Sequence, residues 1–520
     1  GKPYGESPPH PYQEAEDAFQ NIRNEGNNQA IIICGESGAG KTETTKLMLQ
    51  YLATVARRGE AGSGTEDLGE RLVGSNPLME AFGNAKTLRN HNSSRFGKFT
   101  QLNYDNMFTI CGGEIKTFLL EKARVVEPSQ GERNYHIFYQ LAQGLTAEER
   151  EAFHVGFPET FRLCNMGETL YVSERIDDGG EWENTLTAMT QLGISAAEQR
   201  EIKNVLAALL HMGNLDFTEN NLLADGRTEA CSVVDGEVTV EGVAEMLGTS
   251  PANLKKAITA RMITSGRGSV AVKHLTRSEC VNNVKGCIKF LYTHLFSWLV
   301  RKINYEHGNM NTVDVPTCFI GILDIFGFEI MRLNSFEQFC INFANEALQQ
   351  HFNQHIFVLE QEQYRVEALD TAVVSFKDNQ PIIDLVAGTP SLLQLLEVQA
   401  VLNTMTSVDN FVRSAHKEFK QHPNYTRPKG DQPAFTISHF AGEVYYDATE
   451  FIAKNNDSLT GDLVELFKVR SNTFVMNILN SRPKELQSEG EPGYIPEDGV
   501  KPKEDPELDL PLPPKKAGRS

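Results

Sequence analysis

The sequence has no closely spaced cysteine pair, a deficit of basic charge and no long apolar run, and each shortage removes a class of answer. Its eight cysteines (Cys34, Cys111, Cys164, Cys231, Cys280, Cys287, Cys318, Cys340) form no CxxC, which suits reduced thiols in a cytosolic chain better than a disulfide framework or a zinc site. Lysine plus arginine number 49 against 69 aspartate plus glutamate, a formal charge of −20. Non-specific attachment to nucleic acid or anionic lipid needs the opposite sign, so neither is expected as a partner, and an acidic partner must be met by local basic patches. No run approaches the roughly 18 apolar residues that would span a bilayer. The opening Gly1-Lys2-Pro3-Tyr4 lacks an initiator methionine and a leader pattern, so the chain reads as an excerpt or processed product of a cytoplasmic protein.

What remains is a 520-residue chain, 40% hydrophobic and 23% charged, long enough for about three or four structural units around sizeable cores. Helix and strand signals alternate from about residue 10 to 480 without a solenoid repeat. Residues 481–520 hold eight of the 22 prolines with dense charge and few aromatics. Such a segment buries too little apolar surface to offset chain entropy, and a disordered tail is expected. Arg57–Gly69 (RRGEAGSGTEDLG) reads as a mobile surface loop.

One glycine-rich stretch carries chemistry. Gly35-Glu36-Ser37-Gly38-Ala39-Gly40-Lys41-Thr42 is a complete GxxxxGK[ST] pattern. Before it, Ala30–Cys34 is a short apolar run suited to a buried parallel strand. After it, Leu47, Met48, Tyr51, Leu52 and Val55 recur at helical spacing. Glycines let successive N–H groups turn toward phosphate oxygens, the helix N-terminus adds its dipole, Lys41 supplies a point charge near the β- and γ-phosphates, and Thr42 offers a hydroxyl to Mg²⁺. A chance glycine turn does not come with both flanking elements.

Two further stretches gain weight beside it. Asn90-His91-Asn92-Ser93-Ser94-Arg95-Phe96-Gly97-Lys98 is polar and loop-like between apolar segments, and alone would pass for a turn with a surface arginine. Cys318–Leu323 is an apolar strand that ends in Asp324-Ile325-Phe326-Gly327-Phe328-Glu329. An acidic residue at the end of a buried strand is where phosphoryl-transfer enzymes hold Mg²⁺ through water, and Gly327 permits close backbone approach to a γ-phosphate. Downstream, Asn334 or Ser335 can cap a helix whose Phe336, Phe339, Cys340, Phe343, Ala347, Phe352 and Ile356 make one apolar face. His351 and His355 lie four apart on it without the glutamate of HExxH, so a core helix is the simpler reading than a zinc site.

In their order, GESGAGKTE, NHNSSRFGK and DIFGFE resemble the phosphate loop, switch I and switch II of the myosin motor domain, and LLEKARVV (119–126) and ERNYHIFYQL (132–141) resemble its intervening segments. Kinesin shares an SSR element but continues it differently, and no NKxD guanine-specificity element is present. The resemblance implies an α/β P-loop NTPase with a central mixed sheet flanked by helices and largely helical actin-binding subdomains. It also implies an incomplete sheet, since the family's segments before Gly1 and after loop 2 are not in this sequence. The implied division is 1–160 for the nucleotide-binding core with the P-loop and switch I, 161–310 for the upper actin-binding subdomain, and 311–330 for switch II. A relay helix and lower actin-binding subdomain would take 331–480, and 481–520 would form a loop 2-like tail.

Carried over residue by residue, the resemblance implies that ATP and Mg²⁺ are bound by Gly35–Thr42, Asn90 and Asp324, with Thr42 and Ser94 on the metal. Ser93 would relay the lytic water's proton, Arg95 and Glu329 would close the site as a salt bridge, and the Gly327 amide would bond the γ-phosphate. Lys41 completes the catalytic set. Actin filaments are the implied partner, through 261–285, 391–420, 435–459 and the closing Lys515, Lys516 and Arg519. Ser269 falls where some short-tailed myosins carry a phosphorylatable serine, though a Gly/Ser turn explains it equally. Light chains would bind only through a lever that this sequence lacks. The resulting expectation is an actin-activated ATPase motor head of the actin cytoskeleton, doubtful in activity as an isolated piece. A catalytically silent actin-binding module is opposed by the intact Lys41, Ser94, Arg95, Gly327 and Glu329. A P-loop signalling switch is opposed by the long gap between Arg95 and residue 322.

Overall fold

The apolar runs before the glycine-rich stretch and before Asp324 do form neighbouring strands of a four-stranded mixed sheet, and the run after the glycines forms a helix. The computed structural model describes residues 9–35, 38–56, 74–171, 176–218, 231–234, 240–264, 270–308, 316–369, 376–402, 406–455 and 461–479, all within one unit, Gly1–Ser481. Glu36, Ser37, the loop 57–69, Ser269 and the tail with Lys515, Lys516 and Arg519 lie outside the described residues.

In chain order the central elements are α1 (Pro11–Glu25), β1 (Gln29–Ile33), α2 (Lys41–Ala56), β2 (Gly97–Tyr104), β3 (Ile110–Phe118), α3 (Arg277–Gly308), β4 (Cys318–Asp324) and α4 (Phe336–Asn353). Sheet order is β1-β4-β2-β3. β1 runs parallel to β4 with Ile33 opposite Asp324, whereas β2 is antiparallel to β4 and to β3. The β2–β3 turn is set by Asp105, whose Oδ1 accepts from the N–H groups of Met107 and Thr109 at 2.8 and 2.9 Å. Gly321 sits mid-strand in β4 because a Cβ there would come within 2.1 Å of the Phe99 ring across the ladder.

Three apolar cores cover this sheet and its surroundings. α1 and α2 pack Ala15, Phe19, Ile22 and Met48, Leu52 against Leu102, Ile320 and Ile322 on one face. On the other side α3 is pinned to β3 by Asn304, which accepts from the Ile115 N–H at 2.7 Å and donates back to its carbonyl at 2.9 Å. The largest core runs from α3 through the helix Ala196–Asn214 to Phe82, Tyr135 and Phe138. The third joins Phe339 of α4 to Ile382, Leu396, Phe411, Phe435 and Tyr446.

Several expectations are corrected. Leu47 is 40% exposed, and Leu49 and Ala53 take its place on the buried face of α2. Phe352 and Ile356, assigned to the apolar face after Ser335, are each 48% exposed. Phe352 lies near the end of α4 itself, and Ile356 in the π-helical turn Gln354–Leu359 that follows, where the wider winding breaks the 3.6-residue period. Residues 261–285 are not simply a loop: Ala260–Thr264 and Val270–His274 pair as a hairpin, and Arg277 starts α3. Gln380–Leu402 is long and apolar enough, by length and composition alone, to cross a membrane, against the expectation of no such run. It forms two helices, Gln380–Ala387 and Leu392–Leu402, with Ile382, Leu385, Val386, Leu392 and Leu396 buried in the third core. All eight cysteines are unpaired, and no cluster of three metal-ligating side chains occurs among the described residues.

Candidate active site

Strand register decides which loops meet. Because β1 and β4 are parallel neighbours with Ile33 opposite Asp324, the chain leaves both strands at the same end of the sheet. β2 is antiparallel, with Lys98 opposite Asp324, so residues 90–97 arrive at the same end from the other direction. Three stretches far apart in sequence therefore share one mouth, where open α/β sheets place their ligands.

The glycine loop turns at Gly38 (φ +84°) and Gly40 (φ +88°), left-handed conformations that other residues adopt only at a cost. α2 begins at Lys41, so its first N–H groups face the loop. The Lys41 ammonium donates to the Gly35 carbonyl at 2.9 Å, folded across the loop. The side chain of Asn90 stands against Gly38, 3.8 Å from where a Cβ would lie. Its Oδ1 accepts from the Asn92 N–H at 3.0 Å, which holds the turn.

One layer in, the Thr42 hydroxyl donates to Asp324. Burial pushes the Asp324 carboxyl up, and Lys98, the Thr42 hydrogen bond and Lys41 pull it back. Burial likewise pushes the Lys98 ammonium down, with Asp324 and Glu80 opposing, while its Nζ donates to Asn76 Oδ1 at 3.1 Å. Ser94 is half-buried and donates to the Phe96 carbonyl at 2.9 Å, which leaves its oxygen lone pairs to accept. Ser93 is buried, and its Oγ accepts from Arg95 Nη1 at 3.2 Å.

Arg95 and Glu329, 234 positions apart, form a fully buried two-point bridge, Nη1 to Oε1 at 2.7 Å and Nη2 to Oε2 at 3.3 Å. Glu329 is fixed from behind by Asn342 of α4, which accepts from its N–H and donates to its carbonyl, both at 2.8 Å. A second tie joins the same two stretches where Arg89 Nη2 donates to the Ile330 carbonyl at 2.7 Å. Gly327 is buried between β4 and Glu329. Behind the bridge opens a largely apolar cavity of about 230 Å³, lined by Leu119, Leu120, Phe326 and Phe336, and such surroundings strengthen each charge pair.

Residues that the motifs do not single out complete the site. Glu121 accepts from Arg95 Nε at 2.7 Å and from Arg124 Nε at 2.6 Å. Burial pushes its carboxyl up, but Arg124 and Arg95 outweigh that and hold it at about 2. Burial would lower the Arg95 guanidinium, yet Glu121 and Glu329 raise it well above its ordinary value. Asn92 is locked as well: its Nδ2 donates to Glu80 at 2.8 Å, and its Oδ1 accepts from Asn84 at 3.0 Å and meets His136 Nε2 at 3.2 Å. Burial, with Arg133 and Arg124 nearby, pushes His136 down to about 3. The available signal was only that Glu121 and Arg124 stand three apart between the apolar pairs of LLEKARVV, where a charge is buried only if it is paired.

A family model described as "Myosin head (motor domain)" matches residues 1–504. The protein named Myosin-17 of Arabidopsis thaliana is 40% identical over 494 residues, covering 94% of this chain and 31% of its own length. Myosin-2 of Saccharomyces cerevisiae is 39% identical over 494 residues (93% and 31%), and Myosin-7 of Arabidopsis thaliana 39% over 488 (93% and 27%). The chain spans about a third of the length of the curated relatives it matches.

Proposed function

We infer function from a plain membership: the chain belongs to the myosin head (motor domain) family. The reading best supported is a P-loop ATPase motor head that binds and hydrolyses MgATP, is activated by actin filaments, and works on the cytoplasmic actin cytoskeleton. The observation that carries it is the convergence of the glycine loop, Asn90–Lys98 and Asp324–Glu329 at one end of the sheet through the register of β1, β4 and β2.

The residues present fit the groups the family uses. Thr42 and Ser94 would hold Mg²⁺, with Asp324 reaching it through water; the Thr42–Asp324 contact and the uncommitted Ser94 lone pairs suit that role. When bound, the ion neutralises charge on the β- and γ-phosphate oxygens. Loop N–H groups from Gly35 to Gly40 and the N-terminus of α2 cradle phosphate, and Lys41 exchanges its Gly35 carbonyl for the phosphate charge. Asn90 borders the same anion. Ser93, beside the Arg95 cation, would pass the attacking water's proton, and the Gly327 N–H would bond the γ-phosphate. Arg95 and Glu329 close the rear and keep bulk water out, so fixed dipoles replace solvent around the developing charge. Toward actin we assign the 261–285 hairpin with the start of α3, the helices within 391–420, and the segment 435–459, with 161–310 and 331–480 as upper and lower actin-binding subdomains.

Lys41→Ala in the full-length protein tests the reading. Leaving phosphate charge uncompensated should weaken ATP binding by about 3–5 kcal/mol, the usual range for breaking a buried charge pair, and titration with a fluorescent ATP analogue measures it. Unchanged affinity and turnover would overturn the nucleotide assignment.

A further inference from the structure

We propose that Glu121 is a positioning residue: the counter-ion that keeps Arg95 in place when Glu329 leaves it, so that the gate opens by moving one carboxylate while the guanidinium stays. The inference rests on the reading of Arg95–Glu329 as the gate and assigns the other side of Arg95.

Arg95 is held on two edges by carboxylates from different places. Glu329 takes Nη1 and Nη2, whereas Glu121 takes Nε at 2.7 Å. Glu121 is tied to Arg95 through the backbone too, its N–H donating to the Arg95 carbonyl at 3.0 Å. Behind it the charges alternate. Arg124 binds Glu121 at 2.6 Å and Glu132 at 2.7 Å, and Glu132 Oε1 accepts from the Leu88 N–H at 3.2 Å, on the stretch that leads into Asn90. Glu329 belongs to the other side, fastened to α4 through Asn342.

The charge count gives the consequence. With Glu329 present, three carboxylates face two guanidinium groups. Without it, Arg95, Glu121, Arg124 and Glu132 are two against two. The buried quartet is neutral on its own, so losing Glu329 leaves no uncompensated cation beside Ser93, and a buried unpaired charge is the costly state. Replacing Glu121 by a neutral amide reverses this. Glu329 becomes the one carboxylate on Arg95 among the described residues, opening strands the guanidinium, and the equilibrium moves toward the closed form.

The test is single-turnover ATP hydrolysis by the full-length protein, with a fluorescent phosphate sensor read against chemical quench. In Glu121→Gln, ATP binding and the chemical burst should persist while phosphate release slows about tenfold or more, as a shift of that size in the gate equilibrium requires. Glu121→Asp, which keeps the charge, should restore release at least in part. Glu132→Gln removes an equal charge from the far end of the quartet and should lower thermal stability without slowing release. A lost burst with intact ATP binding in Glu121→Gln would mean that Glu121 is needed to close the gate, and would overturn the proposal. So would equal slowing by Glu132→Gln, or unchanged release in a folded Glu121→Gln. Absence of ATP binding by the wild-type protein would instead refute the nucleotide reading on which the proposal stands.

Discussion

Exchanging the two charges of the gate, Arg95→Glu with Glu329→Arg, ought to restore an attraction that either single change destroys. The geometry says that it will restore little. Two unit charges about 4 Å apart interact by about 4 kcal/mol at the effective dielectric typical of protein sites. The swap keeps one attraction of that size, between positions 95 and 329. It also turns the 2.7 Å contact of Arg95 with Glu121 into a carboxylate–carboxylate repulsion of similar size, only partly relieved by Arg124 on the far side of Glu121. Both single changes should abolish hydrolysis while ATP still binds, and the double swap should stay near the singles. Adding Glu121→Gln removes the repulsion, so the triple variant should be the one that recovers hydrolysis. A triple-mutant cycle on quench-flow burst amplitudes separates these terms. A double swap with a near wild-type burst would refute the claim that Glu121 and Glu329 act on the same guanidinium.

Two further outcomes follow from charge and burial. His136 stays neutral in the folded protein down to about 3, against 6.5 in an exposed histidine, so the unfolded chain binds more protons between those values and stability should fall as pH drops through that window. His136→Gln, which keeps a donor for Asn92, should flatten urea-melt stability across it by on the order of 3–5 kcal/mol at the acid end; an unchanged slope would count against a neutral buried His136. Glu121, held near 2 against an ordinary 4.5, should lose its stabilising contribution progressively as pH falls from about 4.5 to about 2. Actin cosedimentation should weaken steadily with added salt, because a protein of net charge −20 must bind an acidic filament through local basic sites; binding insensitive to salt would contradict contact through those sites.

How much of this was legible depended on whether a contact is local. The strand before Gly35 and the helix after Lys41 could be read because a short apolar run and a 3.6-residue spacing are properties of neighbours, and they form as Gln29–Ile33 and Lys41–Ala56. The identity of Arg95 and Glu329 as a pair could not come from spacing across 234 positions; it came with the resemblance, and the bridge itself is made by the register of three strands. Glu121 was in view inside LLEKARVV, yet nothing in the pattern says that two guanidinium groups meet its carboxylate, because one of them is 26 positions upstream. The fate of Ile356 was hidden for a different reason: the apolar period continues in the sequence while the backbone changes its own period at Gln354–Leu359.

Asn342 uses both ends of its side-chain amide on Glu329, accepting from its N–H and donating to its carbonyl, and its Nδ2 donates to the Tyr446 hydroxyl as well. The backbone of Glu329 is thereby held on both polar groups, and its carboxylate takes a further bond from α4, Gln338 Nε2 to Oε2 at 3.3 Å. Moving the Glu329 backbone away from Arg95 therefore either gives up two buried hydrogen bonds at once, each expensive to leave unmade, or carries the N-terminal half of α4 with it. Displacement of the Glu329 backbone and displacement of the helix are thereby coupled. A small displacement of that backbone is then linked to a helix that runs on for about 16 Å from Asn342 to its far end at Asn353.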